Sequence, residues 1–335
     1  MKRKLVITAI ILQVFILLYM CGKREIIIRT GDIIYLRTAP IDPRDLFRGD
    51  FVRLNYELSS IPPGRQKISS YENLRKGTPV FAMLRRHDNG LAELQYVTDI
   101  EPDEGPYIKG FSDSGRYFKK GSTLIVRYGI EAYYVQQGKG IEMEEKLGRN
   151  RWRKNAPEEQ TPLEMRIALS SGGTAIITGH RWSPLGHSLK IEWKEDRIAR
   201  RTRAMRAVFT LKNMSDTPLA LVDMPGSESF TLDPQGEDGI APTSPRISTR
   251  PPSDSNVIVL SPGGKRRFTL DLSNPRFFVT NGQGKRVPAY AMEKERFRIV
   301  YRPPSEKQCR HLKSKGKIWH GYLPSSSFNS SGWID

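Results

Sequence analysis

Apolar residues fill positions 5–21, broken only by Thr8 and Gln13, with Lys2, Arg3 and Lys4 before the run and Lys23 and Arg24 behind it. That pattern predicts one helix at the short end of the roughly 17–25 residues a bilayer requires. Beyond it the period changes. Residues 25–29 and 33–38 read as two β-rich runs joined by Thr30, Gly31 and Asp32. From residue 51, Val52, Leu54, Tyr56 and Leu58 fall on one side and Phe51, Arg53, Asn55 and Glu57 on the other, as in a strand with one face inward. Residues 80–86 and 91–98 predict a hairpin about the turn 87–90; 107–111 and 123–128 predict strands, and 165–169 with 173–178 a closing hairpin. Residues 71–76 and 141–147 predict short helical segments. After residue 203, apolar runs at 207–213, 217–221, 257–260, 267–272, 297–301 and 318–323 are separated by turn clusters, and residues 233–255 read as a long Pro- and Ser-rich loop. This spacing predicts a C-terminal immunoglobulin-like antiparallel β-sandwich, without the Cys-Trp-Cys core of a true immunoglobulin domain. The expected fold class is mainly β: an N-terminal transmembrane anchor (1–24), a β-rich domain (25–196) and a β-sandwich (203–335), joined at the arginine-rich stretch near Ile198.

Two segments have local chemistry of their own. Asp42 can cap a helical turn, Pro43 suits its first position, and Asp45 follows three residues after the cap. Gly49 then permits the left-handed conformation that ends such a turn, and Asp50 opens the strand carrying Leu54 and Tyr56. Read this way the three aspartates are caps and turn formers; the competing reading is a carboxylate site for binding or metal. The second segment is Y-G-I-E-A-Y-Y-V, containing Tyr128, Gly129 and Glu131. Together, I-D-P-R-D-L-F-R-G-D-F-V-R-L-N-Y and this segment resemble the two signatures of the GDYxxLxY family of membrane-anchored bacterial proteins, over roughly residues 26–195. The resemblance implies a membrane-anchored β domain and no assigned reaction. Gln136 and Gln137 stand where the family often carries Pro-Glu, which removes a carboxylate from the turn.

Three fates are open for the apolar run. A cleaved signal would have a core of about 7–15 residues and small residues before the cut. Lipoprotein processing at Cys21 would meet bulky Tyr19 and Met20. An uncleaved anchor fits the length, and the slight basic excess before the run favours an inside amino terminus. The expected location is the bacterial cytoplasmic membrane, single-pass, with everything from Arg24 onward extracytoplasmic (periplasmic).

Charge adds a partner class. Lys and Arg number 54 against 36 Asp and Glu, a net charge of +18, concentrated at 149–154, 197–206 and 310–317. Outside a bacterial membrane the polyanions on offer are lipid head groups and envelope polymers, each basic residue near such a surface contributing about 1 kcal/mol. Arg200, Arg201 and Arg203 are the candidate contacts, with a membrane-protein partner and a merely solvated basic face as the alternatives. Nucleic acid is not an expected partner, because no recognition helix, finger spacing or paired aromatic signature is present.

Catalytic patterns are weak. The two cysteines, Cys21 and Cys309, form no framework, and the five histidines lack metal-ligand spacing; His180 and His187 merely bracket a loop. No G-x-S-x-G elbow occurs, and Gly282-Gln283-Gly284-Lys285 reads as a hairpin turn and not a phosphate loop. An anchor followed by an R-G-D-φ-V strand also occurs in type I signal peptidases, but residues 39–43 hold no serine and no lysine follows until Lys67. No enzyme activity, cofactor or metal is therefore expected. The reading that remains is a binding or assembly module of the envelope, with a signal-peptidase-like hydrolase as the disfavoured alternative.

Overall fold

One helix, Lys2–Thr30, runs straight through residues 25–29, which the alternation rule assigned to a strand. The structure is a computed structural model and describes residues 2–39, 51–114, 118–135, 143, 159–196, 201–236, 240–242, 249–292 and 295–329. The correction has a physical cause. Extending an existing helix adds a hydrogen bond for each residue fixed, and β-branched residues such as the three isoleucines cost only a few tenths of a kcal/mol apiece. Ile27 offsets that cost by packing against Ile33, Ala168 and Ile176 of the body. The Lys4–Thr30 portion, 27 residues, is long and apolar enough to cross a membrane.

Gly31 turns the helix directly into the strand Asp32–Ala39, its N–H donating to the Ile27 carbonyl at 2.9 Å. A Cβ there would lie 2.5 Å from the Ile27 carbonyl oxygen and 3.0 Å from that of Leu169, both backbone atoms. Gly31→Ala is therefore expected to cost about 1–3 kcal/mol through overpacking. Urea unfolding of the full chain in detergent measures this, and a wild-type midpoint would show that the junction can yield.

The fold is mainly β. In the first unit the strands Ala175–Trp182, Leu163–Leu169, Asp32–Ala39 and Asn55–Tyr56 form one antiparallel sheet in that order. A six-stranded sheet faces it, in the order Ser60–Ile61, Leu124–Arg127, Tyr107–Ser112, Pro79–Arg86, Ala92–Thr98 and Gln66–Lys67, the last pairing parallel. Inward residues Ile34, Leu36, Ala82, Ile108, Val126 and Ile167 share its core. Residues 71–76 form bends, not a helical segment, and of 141–147 only Met143, helical and buried, is described.

The second unit begins earlier than expected. Leu185–Asp196 pairs along its length with Arg201–Asn213, and Leu185 and Ile191 sit in the second core. The stretch near Ile198 thus joins two strands of one hairpin, and the chain changes core between Trp182 and Leu185. Lys265–Asp271 completes that sheet; against it lie Phe230–Pro234 and Arg296–Tyr301, with Leu323–Pro324 and Phe328–Asn329 paired to the latter. Phe230 bridges the two layers, 4.9 Å from Phe268 and 5.4 Å from Tyr301 between ring centroids. Phe230–Pro234 is a strand where a loop was expected from Asp233, and most of residues 318–323 is irregular. The turn at Gly284 does join a hairpin, Phe278–Thr280 with Arg286–Pro288.

Candidate functional site

The two sequence signatures meet. Phe51–Arg53 pairs antiparallel with Ala132–Tyr134, and the Leu54 N–H donates to the Glu131 carbonyl at 2.7 Å. The Tyr56 hydroxyl donates to the Ile130 carbonyl and the Tyr128 hydroxyl to the Leu58 carbonyl, each at 2.7 Å. Glu131 accepts from the Tyr128 N–H, a closure that Gly129 permits with its φ of 77°. Burial, with the Glu131 charge adding to it, raises both phenols above their ordinary range, so both stay protonated as donors. Leu54, Tyr56, Tyr128, Gly129 and Glu131 therefore form an interlocked, mostly buried structural joint. Asp42, Pro43, Asp45, Gly49 and Asp50 lie outside the described residues.

A different set of residues lines the junction between the units. Along Asp32–Ala39, Ile34 and Leu36 enter the first core, which turns Tyr35 and Arg37 the other way. Along Arg296–Tyr301, Phe297, Ile299 and Tyr301 enter the second core, so that Arg298, Val300 and the following Arg302 face the first unit. Tyr35, Leu91, Val300 and Tyr322 form a small apolar contact between the units.

Around that contact the charges are buried. Arg302 donates to Glu93 at 2.5 Å, Asp233 at 3.0 Å and the Thr231 hydroxyl at 2.6 Å; Arg65 reaches Asp233 at 3.1 Å. His87 Nε2 lies 3.2 Å from the second Glu93 oxygen. Beside them Arg37 holds Glu164 at 3.2 Å and the Tyr322 carbonyl at 2.8 Å, while Arg181 takes the other Glu164 oxygen at 2.7 Å. The Tyr322 hydroxyl donates to Glu57 at 3.0 Å. Arg37, Glu93, Glu164, Asp233 and Arg302 are each at most 3% exposed. Burial alone would raise the Glu93 carboxyl, but Arg302, with His87 and Arg65, holds it well below the usual carboxylate range. Burial likewise opposes the Arg302 charge, and Asp233 and Glu93 more than offset it.

Two cavities open beside this network. An inner one of about 40 Å³ is lined by both Arg37 and Arg302, with Arg298. An outer cleft of about 660 Å³ takes walls from both units, among them Thr38, Asn55, Thr161, Gln235, Arg298 and Ser325. Hydroxyls, amides and guanidiniums alternate with apolar surface along the wall. Sequence reasoning missed these residues. A signal was available in R-F-R-I-V-Y-R, residues 296–302, where arginines alternate with core residues on one strand.

The remaining candidates do not converge. His180 bonds the Tyr133 hydroxyl at 3.0 Å, and His187 sits on a different sheet, with its ring 5.8 Å from that of Phe209. Among the described residues, no group of three His, Cys, Asp or Glu is placed to hold a metal. Cys309 is fully buried, and burial pushes its thiol up to about 11, so it is protonated at neutral pH. Arg201 and Arg203 lie opposite Asp196 and Lys194 at the end of the long hairpin, and Arg200 is outside the described residues.

No curated protein matches the chain. The family model described as GDYXXLXY protein matches residues 13–179. The match begins inside the apolar helix and ends within Ala175–Trp182, so it covers the helix from residue 13 and nearly all of the first unit, and stops short of the second unit. Through residues 13–179, with both signatures locked together in one joint, this chain belongs to the GDYXXLXY protein family.

Proposed function

We propose that the chain is a single-pass protein of the bacterial cytoplasmic membrane whose folded body lies on the outer side and acts as a binding or assembly module of the envelope. The observation that carries this reading is the polar cleft between the units, on a body joined without a linker to a membrane-length helix. Helix and body share the packing of Ile27, which favours an uncleaved anchor over a removed signal. No catalytic group is assigned to the cleft, and the reading is of a binder, not an enzyme. The basic excess, with Arg200, Arg201 and Arg203 as its candidate contacts, supports a non-specific hold on anionic lipid or envelope polymer and not on nucleic acid.

Retention on vesicles tests the surface part. The fragment from residue 26 is expected to bind anionic vesicles at low salt and to be released well below molar salt, since screening shortens to about 8 Å at physiological ionic strength. Replacing Arg200, Arg201 and Arg203 by glutamine should weaken retention by a few kcal/mol at most. Equal binding to neutral vesicles would defeat the electrostatic reading. Affinity capture from solubilised membranes, with and without the helix, tests for a membrane-protein partner.

A further inference from the structure

We infer that the cleft between the two units is a binding site for a small, hydroxyl-rich anion, a carboxylated or phosphorylated sugar-sized molecule, whose charged group is received by Arg298. The inference deepens the binding-module reading and rests on it, but it stands on separate observations.

The first is an unpaired guanidinium. Four guanidiniums line the inner cavity, Arg37, Arg65, Arg298 and Arg302, with the carboxylates Glu57, Glu93 and Asp233. Arg302 and Arg65 share Glu93 and Asp233, and Arg37 has Glu164. Arg298 has no ion pair, hydrogen bond or ring contact among the described residues, although it lines both cavities and stands across the strand pair from Asp233. Among the described residues lining the outer cleft, Glu57 is the one carboxylate. A half-buried cation that makes no ion pair or hydrogen bond gains when an anion arrives to complete it.

The second observation is unsatisfied donors. The Nε atoms of Arg37, Arg298 and Arg302 are all buried with no hydrogen-bond partner, and these three residues all line the inner cavity. Arg37 is 3% and Arg302 2% exposed, so bulk water does not serve them. Buried donors normally find acceptors, so these three leave the guanidinium cluster beside the cleft short of oxygen partners. Guanidiniums suit carboxylate and phosphate because their forked donors match two oxygens at once.

The third is the outer wall. A volume of about 660 Å³ falls within the 300–1,000 Å³ of ordinary small-molecule sites. Thr38, Asn55, Ser60, Thr161, Gln235 and Ser325 supply hydroxyl and amide groups there, interleaved with about as much apolar surface from Tyr56, Pro62, Pro162 and Pro324. Such a wall suits a guest that carries hydroxyls on a carbon ring, as a sugar does, with the anion at one end.

The test uses the full chain in non-ionic detergent, titrated calorimetrically with glucuronate, glucose 1-phosphate, inorganic phosphate and neutral glucose at constant ionic strength. Saturable binding of the two sugar anions is expected, at least tenfold tighter than glucose and tighter than inorganic phosphate. Arg298→Gln should weaken it about tenfold to a hundredfold, while the ligand-free variant melts at or above the wild-type temperature because it loses only an unpaired charge. Arg298→Met, of similar length, should show the same loss and serves if the amide variant does not fold. No saturable binding of either sugar anion, or unchanged affinity in the variants, would overturn the site. Equal affinity for inorganic phosphate would overturn its hydroxyl-rich part. Vesicle retention of Arg298→Gln separates the readings: lost titration with intact retention confines the failure to the cleft, and intact titration with failed retention confines it to the basic surface.

Discussion

Arg302→Ala is expected to destabilise the protein by about 3–5 kcal/mol, because removing one partner of a buried ion pair strands the other in a medium that solvates it poorly. Glu93 would lose its 2.5 Å contact and Asp233 its 3.0 Å contact, at 3% and 1% exposure. Arg65 still reaches Asp233, at 3.1 Å, so Glu93 carries most of the loss. The pH response should change sign. In the wild type the Glu93 carboxyl is depressed from its ordinary 4.5, so its contribution is full above that value and is lost as pH falls through the lower folded value. Without Arg302, burial becomes the dominant influence and the folded value rises. The variant should then gain stability on acidification where the wild type is flat or falling. Urea midpoints of the full chain in detergent between neutral pH and pH 4 measure both effects. Parallel pH curves for the two proteins would show that Arg302 does not set the charge state of Glu93.

Tyr56→Ala should cost a comparable 3–5 kcal/mol, and Tyr56→Phe about 1–2. The ring is fully buried in the first core, and its hydroxyl is the tie from one family signature to the carbonyl of Ile130 in the other. Truncation loses the ring's packing and leaves a cavity; the phenylalanine variant loses one hydrogen bond and orphans a carbonyl. The ratio between the two costs, read from denaturant midpoints, is the informative quantity. Equal costs would mean that the hydrogen bond carries the joint, and negligible cost for both would show that the signatures do not need each other.

Alternation and run length were enough to place much of the architecture in advance. The membrane-length helix, the hairpin of Pro79–Arg86 with Ala92–Thr98, the Leu163–Leu169 pairing and the strands about Phe209, Phe268 and Ile299 follow from periods of about 3.6 and 2 read over a few residues. The inward face of the first signature, with Leu54 and Tyr56 in the core, was legible for the same reason. Residues 25–29 misled because three adjacent isoleucines suit a strand, and only the continuation of the preceding helix, with Ile27 packed on Ile33, Ala168 and Ile176 of the body, decided for the helix.

What only the tertiary structure decided is where faces that point away from both cores come together. Period-two patterning reveals that Arg298 lies opposite Phe297 and Ile299, but not that Glu93, more than 200 positions earlier, is the partner of Arg302 on the same face. The domain boundary was lost in the same way. Residues 185–196 are equally good strand in either unit, and the choice rests on pairing with Arg201–Asn213 across a connection that composition alone marked as a junction. Strands and their inward faces are local properties of the chain, fixed by side-chain spacing and turn chemistry. Charge pairing, orphaned donors and the cleft arise from residues brought together over long separations, where the low dielectric of the interface makes each unmatched group costly.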